Sequence, residues 1–576
     1  MATMRNIESI TRDAEDTTTK YKDGLNYHKQ VGYQVEWPMY ERFKAGDQWP
    51  TATEKTRSLP RPVFNIIDLI ESLKVSTVMN EQIMMRYSTQ DSGDDLSLEA
   101  ADVFTRYSET VWEDIKQNEL NEEMLEIAAN VGTGILHYYW DSNYTGGNKI
   151  KFAGRMCGEV LDPINVFFGN PQERNVQKQP YVIISYRDML WNVRKEAQQN
   201  GLSKTLRSFI NGDEAKVDEG YDSAQVEVSG TEKVTVLLHY YKEGDRVFFK
   251  KVASGITFKQ ATDTNMSLYP LAVLQWKRRR KSIHGVGDTK GLIPNQRAIN
   301  FLIAMSILSA QLTGWPKLAI DPQRVVKSKI TNTPGEVVEV KDAATLGINN
   351  AIQFLNPGQI SGHVNDLVGQ IVDLTRSMTS ANEASTGEAP GANMSAAAII
   401  QLQKANGVPI ESVKRRFYQC MEDVGRIWEE FFKVKYNMTR EVKVKDDEGE
   451  DAFTDFHGTK YADTDLSLKI DVGPSSQYSE ALMMASLDNF LERQYISFDQ
   501  YLKYAPSNVV PFKERLIREM EKIRAEQAAQ TVTDPISAIP PEQQAKFAQL
   551  PPDQQQRILQ QARQMGQGGM GNAGVG

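Results

Sequence analysis

The sequence predicts a protein of α+β class, and three observations predict it. Apolar residues spaced by three and four mark long helices on both sides of the chain's middle. Short runs rich in β-branched and aromatic residues, bounded by turn residues, cluster between about 135 and 252. After Pro270 the character changes to long helical stretches interrupted by small-residue loops. At 576 residues the chain is long enough for several packed units.

Taken in order, the first ~60 residues carry helical charge patterning and end in a breaker-rich segment, RSLPRPVFN. Asn65 then opens an apolar helix, and a second long helix is predicted from about Leu96 to Val131, stopped by Gly132 and Gly134. Strands follow at Ile135–Trp140, Glu159–Phe168, Tyr181–Tyr186, Val234–Tyr241 and Arg246–Val252. Gly285–Gly291 leads into a helix from about Leu292 to Leu312, ended by Gly314-Trp315-Pro316. A short β-type segment spans roughly 317–357, then a helix covers about 360–380. The loop Ala381–Met394 is small and polar, and a helix from about Ser395 to Tyr436 follows it. Pro409 lies inside that helix, removing one backbone donor and crowding the preceding turn, so a kink is expected near Gly407-Val408. Beyond the acidic turn KDDEGEDAFTD come strands near 440–445 and 465–472 and helices near 477–492, 497–503 and 511–529. The segment from Thr531 is dominated by Gln, Pro, Ala and Gly and cannot bury a core, although Pro541–Met565 could be helical in an assembly.

Composition narrows the function. With 22 Tyr, 21 Phe and 8 Trp the chain has bulk for real cores, while a formal charge of -9 argues against tight nucleic-acid binding. An acidic surface still suits a protein that lets DNA slide past, because like charge keeps residence short. The two cysteines, Cys157 and Cys420, have no Cys or His at ligand spacing, so neither a disulfide framework nor zinc is indicated. The charged N-terminal stretch does not read as a signal peptide, and Ile299–Leu312, interrupted by Ser306, Ser309 and Gln311, falls short of a bilayer span. It is expected to be a buried or subunit-contact helix, and no membrane partner is expected.

The chemistry of enzymes is hard to find. The six histidines are scattered, with none paired at i,i+4, and no nucleophile elbow occurs. Gly285-Val286-Gly287-Asp288-Thr289-Lys290-Gly291 lacks the Gly-Lys-Ser/Thr ending of a phosphate loop and reads as a flexible entry into the next helix. Asp446–Asp455 does not match calcium-loop spacing and reads as a solvated hairpin. No catalytic residue, metal or cofactor is expected. The one dense basic run is Lys277, Arg278, Arg279, Arg280 and Lys281, which could neutralise acidic neighbours, meet another subunit's carboxylates or touch DNA phosphate.

Several motifs stand in a distinctive order along the chain. RPVFNII, VGTGILHYYWD and EVLDPINVFFGNP stand in the first half, and GVGDTKGLIPNQRAINFLIAMSI, with Pro294, Gln296 and Asn300, follows. STGEAPGANMSAAAIIQLQKANGVPIESVKRRFYQCMEDVGRIWEEFF runs from a small-residue loop into the helix that contains Pro409. DVGPSSQYSEALMMASLDNFLE and ISFDQYLKYAP close the set. Together they cover most of residues 35–525, and in their order the chain resembles the portal proteins of tailed bacteriophages, most of all the larger portals of podovirus type.

That resemblance implies a twelve-membered ring with wing, stem, clip and crown. By position, 1–284 would be most of the wing, 285–313 and 358–380 the stem helices, and 314–357 the clip between them. Residues 381–394 would be a tunnel loop, presenting Glu383, Ser385, Thr386, Glu388 and Asn393 to DNA without any Lys or Arg. Residues 395–436 would be the long kinked helix, 437–475 a return to the wing, 476–530 the crown, and 531–576 a mobile or barrel-like tail. The implied partners are further copies of the chain, the terminase large subunit, head–tail adaptors, capsid and scaffolding proteins, and double-stranded DNA in transit. The implied location is the capsid portal vertex of the virion, after assembly in host cytoplasm. Another ring-forming virion component, such as a head–tail adaptor, or a DNA-packaging enzyme would be the alternatives.

Overall fold

The computed structural model describes residues 2–54, 56–81, 83–89, 95–147, 149–213, 232–314, 317–326, 337–348, 351–355, 363–379, 396–445, 451–472 and 477–505, with isolated positions at 220, 330, 516, 517, 520, 551 and 554. The chain divides into two compact units, the first made of residues 1–444 and 452–473, the second of 445–451 and 474–576.

The first unit is mixed helix and strand, as expected. Its N-terminal helix α1 (Ala2–Val31) buries Ala14, Thr17, Tyr21 and His28, a stripe at spacings of three, four and seven. Gly32, at φ 94°, ends α1 and starts α2 (Tyr33–Lys44), whose buried Tyr33, Trp37, Tyr40 and Phe43 form its inner face. Helix α3 (Ile66–Met79) begins where the sequence predicts, with the Asn65 side chain accepting from the Asp68 amide. Strand β1 (Ile83–Thr89) follows.

The predicted helix over 96–131 is instead two, α4 (Asp95–Asp114) and α5 (Gln117–Val131). Lys116 adopts φ 55°, a left-handed conformation that continuous helix forbids, and Trp112 Nε1 donates to Asn118 Oδ1 across the joint at 3.0 Å. Gly132, at φ 105°, then ends α5 as its glycine promised.

Strands β2 (Thr133–Gly146) and β3 (Phe152–Leu161) pair antiparallel. The expected strand 159–168 is broken by a 3-10 turn at Pro163–Asn165, because Asp162 caps the Ile164 amide and Pro163 cannot donate to a ladder. Strand β4 (Val166–Phe168) then opens a five-stranded antiparallel sheet with β5 (Tyr181–Met189), β6 (Lys233–Glu243), β7 (Arg246–Ala253) and β8 (Ile256–Asp263). Two short helices, α6 (Leu190–Gln199) and α7 (Lys204–Ser208), leave the end of β5. Strand β9 (Leu271–Gln275) pairs with β2, giving a second sheet of order β3-β2-β9. Helix α1 lies on the five-stranded sheet through Thr17 to His239 (3.1 Å), Asp13 to Thr257 (3.0 Å) and an Asp13–Lys250 ion pair.

The second half of this unit contains α8 (Thr289–Gly314), β10 (Lys317–Ile320), α9 (Ala343–Leu346), β11 (Ile352–Leu355) and α10 (His363–Met378). Helix α11 (Ala396–Lys435) is the core's axis. Its Phe417, Met421, Val424, Trp428, Phe431 and Phe432 recur on one face and meet Phe104 and Tyr107 of α4 in the largest hydrophobic cluster. Strands β12 (Arg440–Lys445) and β13 (Asp451–Phe456) pair, so part of the expected acidic turn is strand, while 446–450 lie outside the described residues. Strand β14 (Leu466–Val472) returns to β1 and pairs antiparallel along its whole length, from Ile83 opposite Val472 to Thr89 opposite Leu466.

In the second unit α12 (Gln477–Glu492) packs with α13 (Phe498–Tyr504). Ser497 and Gln500 form a reciprocal capping box at the start of α13, and Tyr501 donates to Asp488 at 2.7 Å. Most of the helix expected at 511–529 and nearly all of the segment from 531 lie outside the described residues. Among the described residues, no helix is long and apolar enough to cross a membrane.

Candidate functional site

Two pairs of motifs that stand far apart in the sequence meet in space. The first pair is RPVFNII and the opening of α8. Gln296 Oε1 accepts from the Ile66 amide at 2.9 Å, and its Nε2 donates to the Phe64 carbonyl. Asn300 Oδ1 accepts from the Phe64 amide at 3.3 Å, and its Nδ2 donates to Gln48 at 2.6 Å. Both side chains are buried, and together they make three hydrogen bonds to the Phe64–Ile66 backbone, which hold this strap of chain. Pro294 sits in the second turn of α8.

The second pair is VGTG and GVGDT. The Gly285 amide donates to Thr133 Oγ1 at 3.0 Å, and a Cβ added there would lie 2.2 Å from the Gly132 carbonyl oxygen. A Cβ on Gly287 would lie 2.0 Å from the Asn130 oxygen. The glycines thus allow two backbones to touch, and the loop is a packed joint rather than the flexible entry expected. Asp288, buried at its end, receives Lys74 Nζ at 2.7 Å, Trp276 Nε1 at 3.0 Å and the Lys277 ammonium. Burial alone would raise the Asp288 pKa, but the two ammonium groups outweigh it and hold the carboxyl below its ordinary value. Beside it the Thr289 hydroxyl lies within hydrogen-bond reach of both Glu71 and Asn130 Oδ1 (2.9 Å to the latter), with its one proton shared between the two acceptors.

The basic run leaves this joint. Lys277 is engaged with Asp288, Arg278 donates to Gln419 at 3.0 Å, and Arg279 reaches the Tyr33 hydroxyl at 3.4 Å. Arg280 and Lys281 are exposed, Lys281 at φ 47°. Arg174, from the turn after β4, joins Arg278, Arg279, Arg280 and Lys281 around one shallow recess. Nothing in the sequence announced Arg174, which lies about a hundred residues upstream in an ordinary turn.

Helices α8 and α10 pack together, Asn295 donating to Thr375 at 3.0 Å. Each also carries large apolar side chains into the open: Phe301 and Met305 on α8, and Leu367, Leu374 and Met378 on α10. Met378 is 80% and Leu374 62% exposed, a pattern left over when a helix needs more neighbours than one chain supplies. Between them β10 and β11 pair antiparallel, and the buried Arg324 ties the insert together. Its guanidinium donates to the carbonyls of Lys341 (3.3 Å), Asp342 (3.4 Å) and Gly347 (2.9 Å).

A family model for phage P22-like portal proteins matches residues 266–573, just over half of the chain, and the match takes in α8, the insert, α10, α11 and the second unit. The chain belongs to the P22-like portal protein family. No curated protein matches it. Portal proteins are structural components of the phage capsid that act as homo-oligomeric rings. In this portal protein the expected tunnel-loop residues Glu383, Ser385, Thr386, Glu388 and Asn393 lie outside the described residues. Pro409 lies within the uninterrupted span of α11. Cys157 and Cys420 are both free thiols. Among the described residues, no group of three His, Cys, Asp or Glu side chains could hold a metal ion.

Proposed function

We propose that this portal protein forms the ring at one capsid vertex through which double-stranded DNA is packaged and later ejected. In this reading the ring docks the terminase motor during packaging and tail adaptors afterwards. The observation that carries it is the α8–insert–α10 arrangement inside the matched region: two packed helices with apolar side chains facing outward, joined by a small β insert. Side-by-side copies would cover Phe301, Leu374 and Met378, and ring closure satisfies every copy alike.

The finer layout follows the same logic. Residues 1–284 would form most of the wing, 285–313 and 358–380 the stem, and 314–357 the clip that meets the motor. The β1–β14 pairing supports the assignment of 437–475 as a return to the wing, since β14 is part of the same unit as β1. Residues 381–394 would line the tunnel, 395–436 would be a long helix bent by Pro409, 476–530 would form the crown, and 531–576 would extend beyond it. A loop whose only charges are Glu383 and Glu388 repels phosphate and keeps DNA moving. The recess of Arg174, Arg278, Arg279, Arg280 and Lys281 would receive either DNA phosphate or acidic side chains of a neighbouring copy.

Negative-stain images of the purified chain, averaged down the particle axis, test the ring directly. Twelve-fold rings are expected. A chain that stays monomeric in all assembly conditions would refute the proposal. Replacing Glu383 and Glu388 with Lys should slow DNA packaging into capsids by adding phosphate attraction, and unchanged rates would remove 381–394 from the tunnel wall.

A further inference from the structure

The cavity lined by the two sheets of the first unit, about 820 Å³ in volume, has no part in ring formation or DNA passage as argued above. It lies within the size range of small-molecule sites. Its walls come from β2 and β3 on one side and from β5, β6, β7 and β8 on the other, with the last turns of α11. Aromatic side chains supply much of the surface, among them Tyr139, Trp140, Tyr186, Tyr240 and Phe249.

Two of the cavity's cations lack a close acidic partner among the described residues. Of its cations, Lys251 is paired with Glu196 at 2.9 Å, and Arg187 bonds the Asp213 carbonyl at 2.9 Å and lies 3.5 Å from its carboxylate. Lys259 and Lys435 have no carboxylate at ion-pair distance among the described residues. The Lys259 ammonium lies 4.8 Å from the Phe249 ring centre. The acid nearest in influence to Lys435 is Asp263, but Arg246 holds one of its oxygens at 3.0 Å and the Asn265 amide the other at 2.7 Å. The remaining acids are also engaged. Glu159 meets His137 Nδ1 at 2.8 Å, with His137 Nε2 on the Tyr240 hydroxyl at 3.0 Å, and Asp162 accepts from the Ile164 amide at 3.1 Å. Burial depresses the pKa of both lysines, helped at Lys259 by the neighbouring Lys251 ammonium, and the weaker pull of Glu196 on Lys259 and of Asp263 on Lys435 does not offset it.

We infer that this cavity binds a small amphipathic anion, with an apolar or aromatic body against the tyrosine and phenylalanine wall and an anionic head between Lys259 and Lys435. A carboxylate, sulfonate or phosphate head would each satisfy the two ammonium groups, which are donors without a rigid fork. An organic body is expected because aromatic rings line much of the wall between the sheets, and bare inorganic anions would leave it unfilled.

The test uses the full chain and the fluorescent probe 8-anilinonaphthalene-1-sulfonate. Saturable fluorescence with one site per chain is expected, displaced by laurate and not by inorganic phosphate. The Lys259→Met and Lys435→Met changes should each weaken the probe by about ten-fold, the scale of one charge-assisted contact. Lys259→Arg and Lys435→Arg keep the charge and should bind nearly as the parent does, which separates loss of the head-group contact from misfolding. Because α8 and α10 also expose apolar side chains, Phe301→Glu serves as the control and should leave the saturable site intact. The inference is overturned if the neutral analogue N-phenyl-1-naphthylamine binds as tightly as the sulfonate. It is equally overturned if the lysine changes leave binding untouched, or if Phe301→Glu abolishes it. The probe and lysine comparisons are made on parent and variants in the same assembly state, so failure there leaves the portal function standing.

Discussion

At Gly287 a methyl group would meet the carbonyl oxygens of Asn130 and Ala129 at 2.0 and 2.6 Å, and both are backbone atoms that cannot swing aside. Gly287→Ala is therefore expected to destabilise the first unit by roughly 3 kcal/mol or more, measured by urea unfolding. A loss under about 0.5 kcal/mol, the scale of ordinary surface changes, would show that the joint is loose. Asp288→Asn should cost a similar amount, on the order of 3 kcal/mol, because it strands Lys74 in the interior. Glu71, next to them, gives the opposite kind of signal. Burial pushes its carboxyl up to about 7 from an ordinary 4.5, against the opposing pull of the Thr289 hydroxyl. A carboxyl that holds its proton more tightly when folded contributes fully below pH 4.5, and that contribution is lost as pH rises through about 7. Glu71→Gln should therefore be more stable than the parent at pH 8, by roughly 3 kcal/mol at most, and indistinguishable from it at pH 4. A difference that does not vary with pH would disprove this account. The glycines and Asp288 were visible in the sequence as a motif, but their role was not. Glycine spacing is the same for a loop that cradles a ligand, one that moves and one pressed against another backbone. Only the positions of Gly132 and Asn130, some 150 residues away, decide among these.

At the scale of elements, the sequence was most legible where one face of a helix is buried and a cap marks its end. Asn65 before α3, Gly132 after α5 and the long apolar stripe of α11 all lie within a residue or two of expectation. It was least legible where a pattern is shared by two elements. The apolar spacing of α4 continues into α5, and only Lys116 turning left-handed breaks them. Strand β8 went unpredicted because ITFKQATD mixes apolar and polar residues without clean alternation, and β9 because LAVLQ is a five-residue apolar run with no periodicity to mark it as strand. Helices α8 and α10 raise a prediction of their own. Phe301 is 58% exposed, so Phe301→Glu should leave the subunit's melting temperature nearly unchanged while blocking particle formation on a sizing column. Particles that form normally would mean that this face is not a subunit contact. In the insert, Arg324→Ala removes the donor to three carbonyls, and limited proteolysis should then cut between residues 317 and 355 while the rest of the first unit stays resistant. Equal resistance in parent and variant would mean that the β10–β11 pairing suffices without it.

At the scale of the whole molecule, three buried histidines oppose folding in acid. Burial lowers His28 to about 4 and His239 to about 3, and it takes His284 well below its ordinary 6.5. A base whose folded pKa is depressed contributes fully above pH 6.5 and loses that contribution as pH falls towards the folded value. Unfolding in urea should thus become easier from pH 6.5 down to about 4, and His28→Leu should flatten part of that slope. If the slope is unchanged, His28 is not buried neutral. The family was legible from motif order because those motifs include the strap, the packed joint and helices α8 and α11, which fix the architecture. The cavity between the sheets was not legible, because Lys259 and Lys435 sit 176 residues apart in unremarkable stretches.

The pairing of β1 with β14 also imposes a delay on the living cell. Strand β1 leaves the ribosome nearly 390 residues before its partner exists. At synthesis rates of ~5–20 residues per second, that is roughly 20–80 s during which one hydrogen-bonding edge, with Met85 and Tyr87 destined for the core, has nothing to pair with. Chaperone demand should therefore peak during translation rather than at assembly, and nonsense products ending before Leu466 should be the ones that aggregate.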